Sequence, residues 1–335
     1  MEIFPNEFDS PKAEGSRSWR RILSLIWILL VLGLVVYFVV SRHDELRDIG
    51  DVLASADWRW IIGVGLLEVA ILVLIGRTYQ SILRSLDHQV SLQTIMSCYL
   101  KGLAVGTVIP FGGPAAMVVF IRSLSQMGVP ANDAVFATTL SSLSGFASFL
   151  LVLAPLMVTL ALTGHLSSLV IGATLALAAL FLLAVGAVVI PLHWKRLPVW
   201  IPRYMPGWVT RFLVQARDHH IRVADLRRPF VYSLGVDLCG AAMLYAALLS
   251  VGERTGVLAA FAGYQVEMLF NVITPLFQGI GIADLSITVV LNELGVHLSQ
   301  AAAATLVYRL WDLWIPLIAG ALIYLFTRRR GTHVK

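Results

Sequence analysis

The chain has 335 residues, 58% of them hydrophobic and only 13% charged, whereas soluble globular domains are about one quarter charged. Several apolar runs of about 20 residues match what a helix needs to cross roughly 30 Å of hydrocarbon. That excludes a soluble domain and predicts an all-α polytopic membrane protein. The formal net charge of +5 is not a nucleic-acid footprint, because the basic residues flank apolar runs, as the positive-inside bias requires; no nucleic-acid partner is expected.

Residues 1–18 are polar and read as a disordered cytoplasmic tail. The first membrane half, 19–190, opens with a span over Ile22–Ser41. Arg17, Arg20 and Arg21 precede it and place the N-terminus in the cytoplasm. The run is too long for a signal-peptide core and lacks a small-residue cleavage site. An acid-rich stretch, 42–57, suits the outer face. The second span, Trp58–Tyr79, starts with an interfacial Trp58/Trp60 pair and returns to the cytoplasm near Arg77 and Arg84. Two further spans, Ala134–Leu162 and Leu166–Ile190, are joined by a tight Thr163-Gly164-His165 turn.

A basic stretch, 191–228, follows. Its prolines Pro198, Pro202 and Pro206 precede an apolar face of Val209, Phe212, Leu213, Ala216 and Val223, which reads as a cytoplasmic amphipathic linker. The second membrane half, 229–328, contains spans over Phe230–Ser250 and Ala301–Phe326. Arg328, Arg329 and Arg330 then hold the tail, 329–335, inside. Cys98 and Cys239 both lie in apolar segments and read as small packing residues.

Parity constrains what remains. Residues 91 and 131 must share the cytoplasmic face, so 91–130 enters and leaves from one side. Its second limb, Ala115–Val129, would rise only about 22 Å as a helix, too short for an ordinary crossing. The same holds for 256–298, entering from the opposite face. Both are expected to be re-entrant helical hairpins, broken at Pro110, Gly112, Gly113 and Pro114 and at Pro275, Gly279 and Gly281. Setting Gly128 on Gly295 also brings Gly112 onto Gly279, Ala116 onto Ala283, Ala134 onto Ala301 and Thr138 onto Thr305. The expected architecture is therefore about six full spans plus two broken hairpins in an inverted repeat. Paired broken segments in inverted halves point to a transporter's substrate site, and helix N-termini after a break attract phosphate.

Charge inside a membrane costs on the order of 3 kcal/mol per residue and marks function by default. Lys101 lies nine residues before Pro110 and Glu267 eight before Pro275. They line one polar cavity on one reading and pair for packing on the other. Arg309 and Asp312, three apart, can neutralise each other. Arg122 either lines the cavity or reaches the interface to meet phosphates. Asp284 follows the second break. Glu68 and Asp237 sit near mid-span without a local partner, and either bind protons or pair with Lys101 or Arg309. Ser141, Ser144, Ser148 and Thr138 share one face, read foremost as close packing, as is Gly102-Leu-Ala-Val-Gly106. The candidate substrate-binding set is Lys101, Arg122, Glu267, Asp284, Arg309 and Asp312.

No nucleotide-binding, zinc-protease or nucleophile-elbow motif occurs, and no Cys/His cluster has metal spacing. Neither cofactor nor metal is expected, and the chain does not read as an enzyme.

Two stretches, VIPFGGPAAMVVFIRSLSQMGV and ITPLFQGIGIADLSITVVLNELGV followed by AAAATLVYRLWDLWIPLIAG, resemble the signatures of the lysylphosphatidylglycerol synthase transmembrane region, a flippase-like family also known as uncharacterised protein family 0104. In the second signature the acidic position is Asp284 where Glu is commoner, and the arginine is Arg309. The first signature often carries Gly-Glu; Gly113-Pro114-Ala115 stands here, so no acidic role transfers. The resemblance implies an integral membrane protein moving a lipid between leaflets; with the arginines that hold both termini in the cytoplasm, a multi-pass cell-membrane protein is expected. Its partners would be membrane lipids, anionic or aminoacylated, and a separate lipid-modifying enzyme. None of these residues resembles the soluble synthase domain of two-part relatives, so synthase activity is not expected to carry over. Membrane enzymes or subunits of aminoacyl-phospholipid or lipid-glycan synthesis, and small-solute secondary transporters, are the alternatives.

Overall fold

The computed structural model describes residues 43–109, 112–162, 223–254, 256–273 and 281–331, together with positions 179, 182, 183 and 186. The predicted span Ile22–Ser41, all but those four positions of Leu166–Ile190, the N-terminal tail, the C-terminal tail beyond residue 331 and most of the linker lie outside them, as do Pro110, Pro275 and Gly279. Every regular element among the described residues is helical. The chain up to Asp51 forms a unit separate from Val52–Lys335. Helix α1, His43–Ala54, begins in the former; the rest of the fold belongs to the latter.

Among the described residues four helices are long and apolar enough to cross a membrane: α2 (Trp58–Ser85), α5 (Ala131–Leu162), α6 (Arg227–Ser250) and the helix running from Leu298 to Phe326. They coincide with four of the six predicted spans. Large apolar side chains, among them Leu66, Val69, Leu151, Leu238, Leu306 and Leu322, point outward. In water that surface would be an aggregation liability; in a bilayer it meets acyl chains.

Shorter helices pair off between the spans. Helices α3 (Leu92–Val108) and α4 (Gly112–Ser125) form the first pair, and α7 (Val257–Ile273) and α8 (Ile282–Glu293) the second. Within the first pair Gly102 faces Ala116 and Gly112 lies against Gly106, so the partner number falls as the residue number rises and the helices run antiparallel. The contacts are backbone to backbone. A Cβ on Gly102 would sit 2.7 Å from the Ala116 carbonyl oxygen, and one on Gly112 only 1.5 Å from that of Gly106. The small-residue spacing is thus used for packing, as such spacing is between membrane helices. In the second pair Gly263 lies against Leu291, and Leu258, Phe261, Val290 and Leu294 gather round buried Ala262 and Leu156.

One expectation needs correcting here. Gly112, Gly113 and Pro114, read as part of the break, form the first turn of α4. Proline is tolerated there because first-turn N–H groups have no intrahelical acceptor. The interruption lies earlier: α3 ends at Val108, and Ile109 turns extended at ψ 133°.

Helices α2 and α6 lie against each other along their length in opposite directions. The Asp57 N–H donates to the Ser250 carbonyl at one end, 2.7 Å, and Gly235 meets Leu74 in the middle. Asp57 also caps α2 by accepting from the Arg59 N–H, 3.0 Å. The core of the α2–α5 set contains Leu83, Ile95, Phe120, Leu124, Phe136 and Leu140.

The succession long helix, short pair, long helix occurs twice. Gly128 and Gly295, 167 residues apart, have φ of +92° and +95°. They end α4 and α8 with the same bonds: Val129 N–H to Leu124 carbonyl and Val296 N–H to Leu291 carbonyl. Thr138 and Thr305 each donate to the carbonyl four residues earlier, 2.8 Å in both.

The last long helix is not uniform. Helix α9 (Leu298–Arg309) passes through a π turn, Leu310–Trp314, into α10 (Ile315–Gly331). Pro316 has no N–H for the Asp312 carbonyl and would crowd it. The chain widens before it, with Ile315 N–H donating to the Leu310 carbonyl. Such π turns concentrate at functional positions.

Candidate functional site

The second short pair and the π turn converge on Arg309, the last residue of α9, which is 6% exposed. One guanidinium nitrogen, Nη1, lies 2.8 Å from Glu267 Oε1 of α7 and 3.0 Å from Asp312 Oδ2 of the π turn. Nε pairs with Asp284 Oδ1 in the first turn of α8. Glu267 is fully buried, and its Oε1 also accepts from Asn271 Nδ2, 3.3 Å.

Each partner is placed by local structure. Glu267 and Asn271, four apart, share one face of α7. Asp284 is the third residue of α8, where its Oδ2 accepts the N–H of Gly281, 3.1 Å. A carboxylate there satisfies an orphan donor and suits the positive end of the helix. Gly281 itself has φ +87°, so the break and the ion pair are tied through one side chain. Asp312 reaches Arg309 across three residues, as their spacing predicts.

Three carboxylates surround one arginine, an excess of negative charge. The cluster also leaves polar atoms without hydrogen bonds: Glu267 Oε2, Asn271 Oδ1 and Arg309 Nη2 are buried and unpaired, and on another face of α7 both amide atoms of Gln265 are unpaired as well. Nearby, Trp311 packs on Gly65 of α2, where a Cβ would lie 2.6 Å from the indole. Its Nε1 is likewise unpaired, as is Glu68 Oε2, one turn along α2 from Gly65, and Asp312 lies within electrostatic reach of Glu68. Unsatisfied buried polar atoms cost about 1–3 kcal/mol each, so a concentration of them at one place fits a site that receives polar matter.

The remaining candidates lie elsewhere. Lys101, on α3, is 9% exposed and has no hydrogen bond or ion pair among those the described residues form. The pairing of Lys101 with Glu267 does not form; Glu267 goes to Arg309. Arg122 is exposed near the end of α4. Asp237, the eleventh residue of α6 as Glu68 is of α2, meets neither Lys101 nor Arg309. It accepts from Ser148 Oγ of α5 and from Tyr264 OH of α7 at 3.5 Å. Ser148 therefore does more than pack, whereas Ser144 and Thr138 bond to their own helix.

Sequence reasoning missed Asn271, Gln265, Trp311 and Tyr264. The first two carried a signal: amides interrupting an apolar run. Trp311 and Tyr264 carried none, being ordinary aromatics at membrane depth until folding sets Trp311 on Gly65 and Tyr264 against Asp237.

Comparison with known proteins agrees with a membrane protein. A UPF0104 membrane protein from Pyrococcus horikoshii is 23% identical over 90% of this chain and 97% of its own length. Residues 24–320 match the family described as the lysylphosphatidylglycerol synthase TM region. That match takes in all four spans to within the last turns of α10 and the whole Arg309 cluster; the chain is a multi-pass membrane protein belonging to the lysylphosphatidylglycerol synthase transmembrane-region family.

Proposed function

We propose that the protein is a flippase-like transporter that moves a phospholipid or another lipid-linked head group between leaflets through a central polar cavity. The observation that carries this reading is the Arg309 cluster. Four ionisable side chains, from α7, α8, the end of α9 and the π turn, meet at one place, with Glu267 and Arg309 buried and Asp284 and Asp312 partly buried, and unpaired polar atoms lie among them. Dry structural ion pairs are satisfied on all sides; this one leaves donors and acceptors open.

In this reading the two short pairs are re-entrant hairpins of an inverted repeat. The matched left-handed glycines and the antiparallel course of α2 and α6, the first long helices of the two sets, support it. Six full spans complete the architecture, in the cell membrane with both termini cytoplasmic. Glu267, Asp284 and Asp312, in excess over Arg309, receive the cationic part of a head group or a proton. Lys101 is the buried cation of the first pair, and Arg122 meets phosphates at the interface. The substrates are anionic or aminoacylated phospholipids, supplied by a separate lipid-modifying enzyme.

Reconstitution in liposomes with head-group-labelled lipids tests the proposal. Transbilayer movement above that of protein-free vesicles is expected for at least one of phosphatidylglycerol, an aminoacyl-phosphatidylglycerol and phosphatidylethanolamine. Glu267→Gln should reduce it at least tenfold, the scale of losing a buried charge partner. Rates equal to empty vesicles for the whole panel would sink the reading.

A further inference from the structure

A second polar site lies at the other end of the α2–α6 contact from Asp57 and Ser250. There the last turn of α2 and the first turn of α6 enclose a cavity of about 650 Å³. Three arginines reach its wall, Arg84 from α2 and Arg227 and Arg228 from α6, with Tyr232 beside them and one acid, Asp225. The balance is opposite to that at Arg309: here cations are in excess. A second cavity of about 640 Å³ shares Arg84.

Arg227 and Asp225 each already hold an interaction, which leaves the guanidinium groups of Arg84 and Arg228 and the Tyr232 hydroxyl to meet a ligand. Both arginines are exposed and appear in none of the ion pairs described above. Arg228 sits in the first turn of α6, where the helix pole is positive and a cation is locally unfavourable; a bound anion reverses that penalty. Two forked, permanently charged groups recognise the tetrahedral oxygens of phosphate better than a point charge does. Val231 also lines the cavity and is 59% exposed, and Leu238, seven residues on along the same face of α6, is exposed too. An apolar track thus leaves the basic cavity along the helix.

We propose that this cavity is a binding site for a phosphate-bearing anion, held by Arg84 and Arg228 with Tyr232, and distinct from the Arg309 cluster. The apolar track favours a phospholipid, its phosphate between the arginines and an acyl chain along Val231 and Leu238; a soluble phosphate shares the head chemistry alone. Binding here does not depend on transport, so the site stands whether or not lipid crosses the bilayer.

The test uses the full chain in a zwitterionic detergent, with native mass spectrometry of added phosphatidylglycerol and, separately, competition by inorganic phosphate. Arg84→Gln/Arg228→Gln should weaken binding about tenfold, in line with two basic contacts to an anionic lipid. Arg84→Lys/Arg228→Lys should retain part of it, keeping charge but losing the fork. Arg59→Gln, at the far end of α2, should bind as the parent does. Failure of millimolar phosphate to displace the lipid assigns the site to phospholipid; displacement assigns it to soluble phosphate. Should the double glutamine variant, melting like the parent, bind both ligands undiminished, the assignment is overturned. Single variants, each losing about threefold, serve if the double variant does not fold.

Discussion

Arg309 illustrates how one residue can be half legible. Its partner Asp312 follows from spacing alone, since residues three apart on a helix are neighbours. Glu267 and Asp284 do not, because they lie 42 and 25 positions away and meet Arg309 only once α7 and α8 have packed beside α9. Glu68 and Asp237 show the converse. Both are identifiable as buried acids from sequence, yet no rule of spacing would have sent Asp237 to Ser148 and Tyr264. The cluster makes a stability prediction. Arg309→Met leaves three carboxylates without their cation, and breaking a buried ion pair from one side costs about 3–5 kcal/mol. Melting followed by tryptophan fluorescence in detergent should fall accordingly. Glu267→Gln in the same chain removes one of the stranded charges and should restore part of the loss. Additive losses in the two-variant cycle would show that the residues do not act together.

At the scale of elements, the short pairs were readable because their helix breakers and lengths conflict with a spanning helix, while boundaries were less so. Pro114 looks like an interruption in sequence but is admissible in a first turn, so α4 begins earlier than the breaker pattern suggests. Nor could spacing reveal the π turn, which requires knowing that Pro316 continues a helix instead of ending it. The close approach inside the first pair can be tested directly. Gly112→Ala places a methyl group against the Gly106 carbonyl, backbone that no rotamer change can move, so the pair must separate and the folded yield should fall sharply. Gly113→Ala, one residue on, meets nothing within 4 Å and should melt as the parent does or slightly higher, since alanine favours a helix by up to about 1 kcal/mol. The two terminating glycines offer a matched comparison. Gly128→Ala and Gly295→Ala force an L residue into the left-handed region at nearly the same φ, at a cost of about 1 kcal/mol each. Equal losses in melting temperature are expected; a large inequality would mean that the two turns are not structurally equivalent.

For the whole molecule, composition was decisive for class, whereas the parity of spans yields an expected topology only, because parity reasons about sides of a membrane while packing fixes helices against each other. Antiparallel packing within α3–α4 is compatible with a pair that dips in and returns, and equally with two thin crossings that also return. Both put Asp87 and Met127, which flank the pair and are exposed, on one face. What separates the readings is how far Ile109 travels. Its side chain is 42% exposed, and a helix of 17 residues rises about 25 Å, short of the ~30 Å hydrocarbon core. In a background lacking Cys98 and Cys239, Asp87→Cys and Met127→Cys should react with an impermeant maleimide from the cytoplasmic side alone. Arg254→Cys and His297→Cys, flanking the second pair, should react from the outer side alone. Ile109→Cys is the deciding position: on the re-entrant reading it is slow from both sides and is reached from outside only through the cavity, so an anionic lipid should protect it. Fast labelling of Ile109→Cys from outside, unchanged by lipid, would mean that α3 and α4 each cross the membrane, and the inverted-hairpin architecture would have to be abandoned.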